Sequence, residues 1–179
     1  GYQAYEKRYP QISKLPTFGG AKDGTFNIEQ ALTLKPDLVL MNLESKAATD
    51  EGKLTEKLQA VGVPVVFIDF REAPMVNAEK SIRIMGELVN KPARAQEIIQ
   101  FRQQQIERVT SRLKNFTGYR PKVMIDRAGG YSDECCMSFG NENFGQMVEI
   151  AGGRNIARDL IPGTFGTVNP EQIIASQPD

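Results

Sequence analysis

Asn27-Ile28-Glu29-Gln30-Ala31-Leu32-Thr33-Leu34-Lys35-Pro36-Asp37 aligns without a gap on Asn169-Pro170-Glu171-Gln172-Ile173-Ile174-Ala175-Ser176-Gln177-Pro178-Asp179. Asn, Glu, Gln, Pro and Asp fall at the same offsets in both copies, and the apolar positions agree. Local physics accounts for either copy alone: Asn is a good N-cap, Glu in the first turn suits the helix dipole, and a proline two turns later closes a short helix. Two copies at matching offsets point further, to two lobes of similar build. The first copy runs straight into Leu38-Val39-Leu40-Met41, a short apolar run suited to a buried strand; the second is expected to lead into a strand beyond Asp179. A lobe with a strand at Lys122 needs a partner to close its sheet, and the first lobe lacks a strand ahead of Asn27. The sequence is therefore expected to be cut at both ends.

Outward from the repeat, Val63-Pro64-Val65-Val66-Phe67-Ile68 and Lys122-Val123-Met124-Ile125 read as further buried strands, with Pro64 near a strand start or on an edge. Helical stretches lie between them: Leu54 to Ala60, closed by Gly62, and Val76 to Val89, ahead of Pro92. One element is out of proportion. From Pro92 to about Asn115 there is no Gly or Pro, and Ala95, Ile98, Ile99, Ile106, Val109 and Leu113 keep to one helix face. At 1.5 Å per residue such a helix is roughly 35 Å long, the width of a small domain. It reads as a strut between two lobes rather than a surface helix. The fold class expected is α/β: two Rossmann-like αβ lobes with parallel sheets, residues 1–90 and 116–179, joined by one long backbone helix at 91–115.

Composition narrows the function. Lys+Arg and Asp+Glu are both 22 of 179 residues, so no basic excess exists to hold a nucleic acid or an anionic membrane. His is absent, which removes His-ligated zinc, His-ligated haem and His-based catalytic triads. The adjacent cysteines Cys135 and Cys136 give no CxxC spacing. No G-x-G-x-x-G or G-x-x-x-x-G-K-[ST] follows a strand, which weighs against a nucleotide-binding α/β enzyme domain, the rival from another class.

The ordered set of Asn27-Ile28-Glu29, Leu34-Lys35-Pro36-Asp37-Leu38-Val39-Leu40, Gly62-Val63-Pro64-Val65-Val66, the long helix, Ala151-Gly152-Gly153-Arg154-Asn155-Ile156 and Val168-Asn169-Pro170-Glu171 resembles the helical-backbone class of periplasmic binding proteins. These serve ABC importers of ferric siderophores, cobalamin and haem. The resemblance implies two lobes bridged by one helix, with the ligand in the cleft between them. It implies a non-enzymatic protein without a cofactor, monomeric in full length, lying in the periplasm or lipid-anchored outside the inner membrane. Its partners would be an ABC transporter permease and a small-molecule metal chelate. Glu29 and Glu171 match the family's lobe-tip glutamates, which pair with permease arginines; as bare sequence they read as helix-dipole partners, and the two readings are compatible.

Ligand candidates follow from the strand ends, where ligands bind in open parallel sheets. Arg71 follows the strand ending at Ile68 and Arg127 the strand ending at Ile125, so the two would enter the cleft from opposite lobes. A guanidinium offers a planar donor fork to carboxylate, catecholate or another oxyanion. The alternative is two surface arginines paired with Asp69, Glu72 or Asp126. Tyr131, in the loop Ala128 to Cys136, offers an apolar ring with a polar tip or a phenolate to iron. Gly19-Gly20 and Asn42-Leu43-Glu44 are the corresponding loops of the first lobe. Cys135 and Cys136 read as a disulfide in an oxidising compartment, or as two reduced thiols, with metal ligation a distant third. Phe139 and Phe144 read as core. The cargo expected is a ferric siderophore-type chelate; cobalamin, haem and an oxyanion such as molybdate are the runners-up.

Overall fold

The computed structural model describes residues 3–127 and 135–179. Its contacts group the chain into two compact units, Gly1–Phe67 and Ile68–Asp179, each with its own apolar cluster.

In the first unit, helix α1 (Gln3–Glu6) and a 3₁₀ turn at Pro10–Lys14 precede α2 (Ile28–Thr33), strand β1 (Val39–Asn42), α3 (Lys46–Glu51), α4 (Leu54–Ala60) and β2 (Val65–Ile68). β1 and β2 lie side by side, and the Val39 N–H donates to the Pro64 carbonyl at 2.9 Å, so Pro64 stands just ahead of its strand. Met41, Leu54, Leu58 and Val63 form the core, flanked by Phe26, Ile28, Leu32 and Phe67. Helix α4 stops as its sequence foretells. Gly62 takes φ +80°, its N–H donates to Gln59 O, and the Val63 N–H donates to Leu58 O. That is the Schellman pattern, completed by contact between the buried Leu58 and Val63.

The second unit opens on a helical hairpin, α5 (Pro74–Leu88) and α6 (Pro92–Leu113). The turn repeats the same stop with Asn90 at φ +53°, whose N–H donates to Glu87 O while Lys91 N–H donates to Gly86 O. The expected long helix is thus present over 22 residues, burying Ala95 and Ile99. Ile98 and Val109 remain about 40% exposed and line an open groove of about 410 Å³ with Met147 and Ile150.

Beyond α6 come β3 (Lys122–Val123), β4 (Met137–Phe139), α7 (Phe144–Ile150), β5 (Arg154–Asn155), a 3₁₀ turn at Ile156–Asp159, β6 (Phe165–Thr167) and α8 (Pro170–Ser176). β3 pairs β5 in parallel, with Lys122 opposite Arg154. β4 pairs β6 antiparallel, with Ser138 opposite Gly166, a ladder the sequence did not announce. Ala157, Ile161 and Val168 form the core below it. α7 stops on Gly152 at φ +92° with the same two bonds, Gly152 N–H to Glu149 O and Gly153 N–H to Val148 O. The fold is mixed α/β with small sheets and long helices, as expected.

The repeat is structural as well as textual. Asn27 Oδ1 accepts the Gln30 N–H at 2.9 Å, and Asn169 Oδ1 accepts the Glu171 N–H at 2.8 Å. Lys35 and Gln177, at equivalent offsets, both take the left-handed conformation ahead of their proline, φ +49° and +48°. In the second copy Asp179 then reaches β3: its N–H donates to Lys122 O, and its carboxylate accepts from Lys122 N–H and from the Tyr119 hydroxyl. The Tyr119 bond, then the Lys122 N–H, hold the Asp179 carboxyl below the ordinary aspartate range.

Candidate functional site

The segment carrying Arg71 is held from behind by one carboxylate. Asp69 is 4% exposed, and its Oδ1 accepts the N–H groups of Arg71 and Glu72, both at 2.8 Å. Its Oδ2 accepts Ala73 N–H and Asn77 Nδ2, both at 2.9 Å. Ala73 N–H is the free donor at the start of α5, and the other bonds run to the loop ahead of it and to the Asn77 side chain, so Asp69 ties that loop to the helix start. Burial pushes the Asp69 carboxyl up. The bonds from Asn77 and from the N–H groups of Ala73, Arg71 and Glu72 outweigh it and leave it below the ordinary aspartate value. Ser81 completes the support, accepting Asp69 N–H at 2.8 Å and donating to Asp69 O at 3.1 Å. Asp69, weighed from sequence only as an ion-pair partner for Arg71, meets it through the backbone.

The carbonyls of the same segment are taken by Asn143. Its Nδ2 donates to Arg71 O and its N–H donates to Glu72 O at 3.2 Å. Asn143 is buried and sits at φ 53°, ψ −126°, a region that costs an L-residue of order 1–3 kcal/mol. The turn that imposes this is itself pinned. Asn155, 1% exposed, donates from Nδ2 to Phe139 O and Gly140 O, both at 2.8 Å. A Cβ on Gly145 would stand 1.8 Å from Gly140 O, so only glycine lets α7 begin there. The residue type of Asn143 gave no sign of this role; the one cue that could have drawn attention to it is the Gly- and Asn-rich cluster Gly140-Asn141-Glu142-Asn143, a turn signal.

Arg127 is half-buried in the same unit. Its N–H donates to Met137 O at 2.8 Å, its Nη1 contacts Met137 Sδ, and its guanidinium lies 5.4 Å from the Phe165 ring centre, within cation–π range. The stretch from β4 to α7 thus meets both arginine segments, through Met137 at the start of β4 and Asn143 at the start of α7. Phe139 is core, as expected; Phe144 is half exposed, its ring 5.0 Å from that of Phe139 in an edge-to-face pair. Tyr131 lies outside the described residues. The sulfurs of Cys135 and Cys136 lie against each other, and Cys136 is buried.

In the first unit, Gly19 (φ +80°) and Gly20 border a cavity of about 290 Å³ together with Asn42 and Ser45 at the end of β1. Glu29 and Glu171 are exposed, each the second residue of its helix. Among the described residues no cluster of His, Cys, Asp or Glu could hold a metal ion, and no helix is long and apolar enough to cross a membrane.

A family model described as periplasmic binding protein matches residues 2–179. The chain belongs to the periplasmic binding protein family. The family's members are substrate-binding proteins of transporters, not enzymes. Among solved structures, this periplasmic binding protein chain is similar to the TroA-like periplasmic binding protein FepB from Veillonella parvula. The identity is 28% and the TM-score 0.83, over 99% of this chain and 51% of that one. The molybdate-bound MolA of Haemophilus influenzae shares the fold at 19% identity and TM-score 0.74, over 98% of this chain and 56% of that one. A curated relative, the cobalamin-binding protein of Halobacterium salinarum, is 25% identical over 100% of this chain and 46% of its own length. The chain spans about half the length of the relatives it matches.

Proposed function

We propose that this chain belongs to an extracytoplasmic solute-binding protein that captures an anionic ferric chelate of siderophore type and delivers it to an ABC transporter permease. The observation that carries the reading is the Arg71 segment. Its N–H groups are committed to buried Asp69 and two of its carbonyls to Asn143, so the arginine projects from a backbone fixed before any ligand arrives. Preorganisation of this kind lowers the ordering cost of binding. Arg71 and Arg127 together supply two guanidinium forks for oxyanions of the chelate, with Tyr131 as a third contact. The three-part division 1–90, 91–115 and 116–179, with Glu29 and Glu171 as the permease contacts of a monomer, completes the proposal.

A second reading is favoured by the curated relative named as a cobalamin-binding protein: a corrinoid as cargo. Calorimetric titration of the full-length protein with a ferric tris-catecholate, cyanocobalamin, haemin and molybdate separates the readings. Tight binding of the catecholate, weakened by loss of either arginine, is expected. Binding of cyanocobalamin alone, indifferent to both arginines, would establish the second reading instead.

A further inference from the structure

We infer that Asn143 is a positioning residue for Arg71, setting the affinity for anionic cargo without touching it. The inference rests on the ligand-binding reading of Arg71 just given. Four observations carry it. The Asn143 side chain and backbone donate to the two successive carbonyls of Arg71 and Glu72. The opposite face of those peptides is already occupied by Asp69, so Asn143 fixes the remaining freedom of the segment. Asn143 holds an unfavourable backbone conformation while making no side-chain bond to its own helix, although Asn at a helix start ordinarily caps it. Its amide is thus spent on a distant segment rather than on local structure. Finally, the turn that presents it is locked by Asn155 and by the need for Gly145, which makes Asn143 a rigid donor.

A guanidinium reads an oxyanion through paired hydrogen bonds whose geometry degrades over fractions of an ångström. Releasing the Arg71 carbonyl would let the segment rotate about the Asp69 anchor and spread the side chain over more positions. The effect should therefore be specific to ligands that Arg71 contacts.

The test is a double-mutant cycle on the full-length protein, read by calorimetry with a ferric tris-catecholate. Asn143→Gly removes the amide and accommodates the φ, so folding is kept; Asn143→Asp keeps the shape but sets a carboxylate against the Arg71 carbonyl. In the Arg71 background, Asn143→Gly is expected to weaken binding about tenfold and Asn143→Asp by more. In the Arg71→Ala background, Asn143→Gly should change affinity less than twofold. Equal losses in both backgrounds would make Asn143 a general structural residue and overturn the inference. So would full affinity of Asn143→Gly while Arg71→Ala binds weakly, an outcome that leaves the reading of Arg71 standing. If Arg71→Ala binds like the parent, the reading of Arg71 and the inference fall together.

Discussion

Gly86 and Ala95 face each other so closely across the α5–α6 hairpin that a Cβ on Gly86 would stand 2.4 Å from the Ala95 Cβ. Intrinsic propensity says Gly86→Ala should strengthen α5 by up to about 1 kcal/mol. Overpacking a tight contact costs about 1–3 kcal/mol, and here the clash involves two short, inflexible groups. The expected net effect is a lower urea midpoint with an unchanged slope. A raised midpoint would mean that the helices part there at no cost.

Asp69 should be among the polar residues most sensitive to substitution. Asp69→Asn keeps the volume but turns an NH₂ toward a backbone N–H and removes the charge, for an expected loss of about 2–3 kcal/mol. The sign of its pH dependence follows from its lowered pKa. The stabilisation is in place above the unfolded aspartate value and is lost as pH falls through the lower folded value. Denaturation followed from neutral pH into acid should therefore show the parent and the Asp69→Asn variant converging below that window. A constant gap would place the loss in packing rather than charge.

Arg71→Ala and Arg127→Ala should each weaken a ferric tris-catecholate by about 1–3 kcal/mol and leave neutral cargo almost unaffected. Arg127→Lys is the sharper probe. It keeps the charge near Phe165 but loses the planar fork, so it should recover little of the affinity. Full recovery would reduce Arg127 to a point charge.

Glu29 and Glu171 are exposed and stand at equivalent places in the repeat. Ala at either should leave melting temperature and ligand affinity nearly unchanged, since exposed charges add little to folding. Transport by the complete importer should fall with each and further with both, and Lys should be worse than Ala, because charges across an interface orient partners. Normal transport by the double variant would leave these residues as helix-dipole partners; lost ligand affinity would place them in the ligand site.

Cys135 and Cys136 should resist alkylation in protein isolated from an oxidising compartment and accept two alkyl groups after reduction. Alkylation without reductant would assign them as thiols.

What the sequence disclosed was what local chemistry writes. Asn27, Asn169, Gly62 and Pro92 announced helix ends because caps and turns act within a few residues. The antiparallel pairing of β4 with β6 was silent: Met137-Ser138-Phe139 is too short for periodicity, and Gly166 opposite Ser138 carries no apolar signal. The site divided the same way. Arg71 and Arg127 stood out as candidates because strand ends are legible and guanidinium chemistry is distinctive. Asn143 and the true role of Asp69 were missed, since both act on backbone groups of remote or neighbouring segments, and side-chain identity does not say which carbonyl an amide will find.

The three helix stops at Gly62, Asn90 and Gly152 also bear on the order of assembly. Each closes through bonds between residues only a few positions apart, so α4 with its strand, α5 with α6, and α7 with β5 are all short loops to close. The β3–β5 and β4–β6 pairings instead join strands with a whole helix, α7, between them. Short-range contacts of the first kind favour early formation, and these longer-range pairings are expected to follow. Arg127 and Arg71, both met by the stretch from β4 to α7, would then be among the last groups to reach their final places.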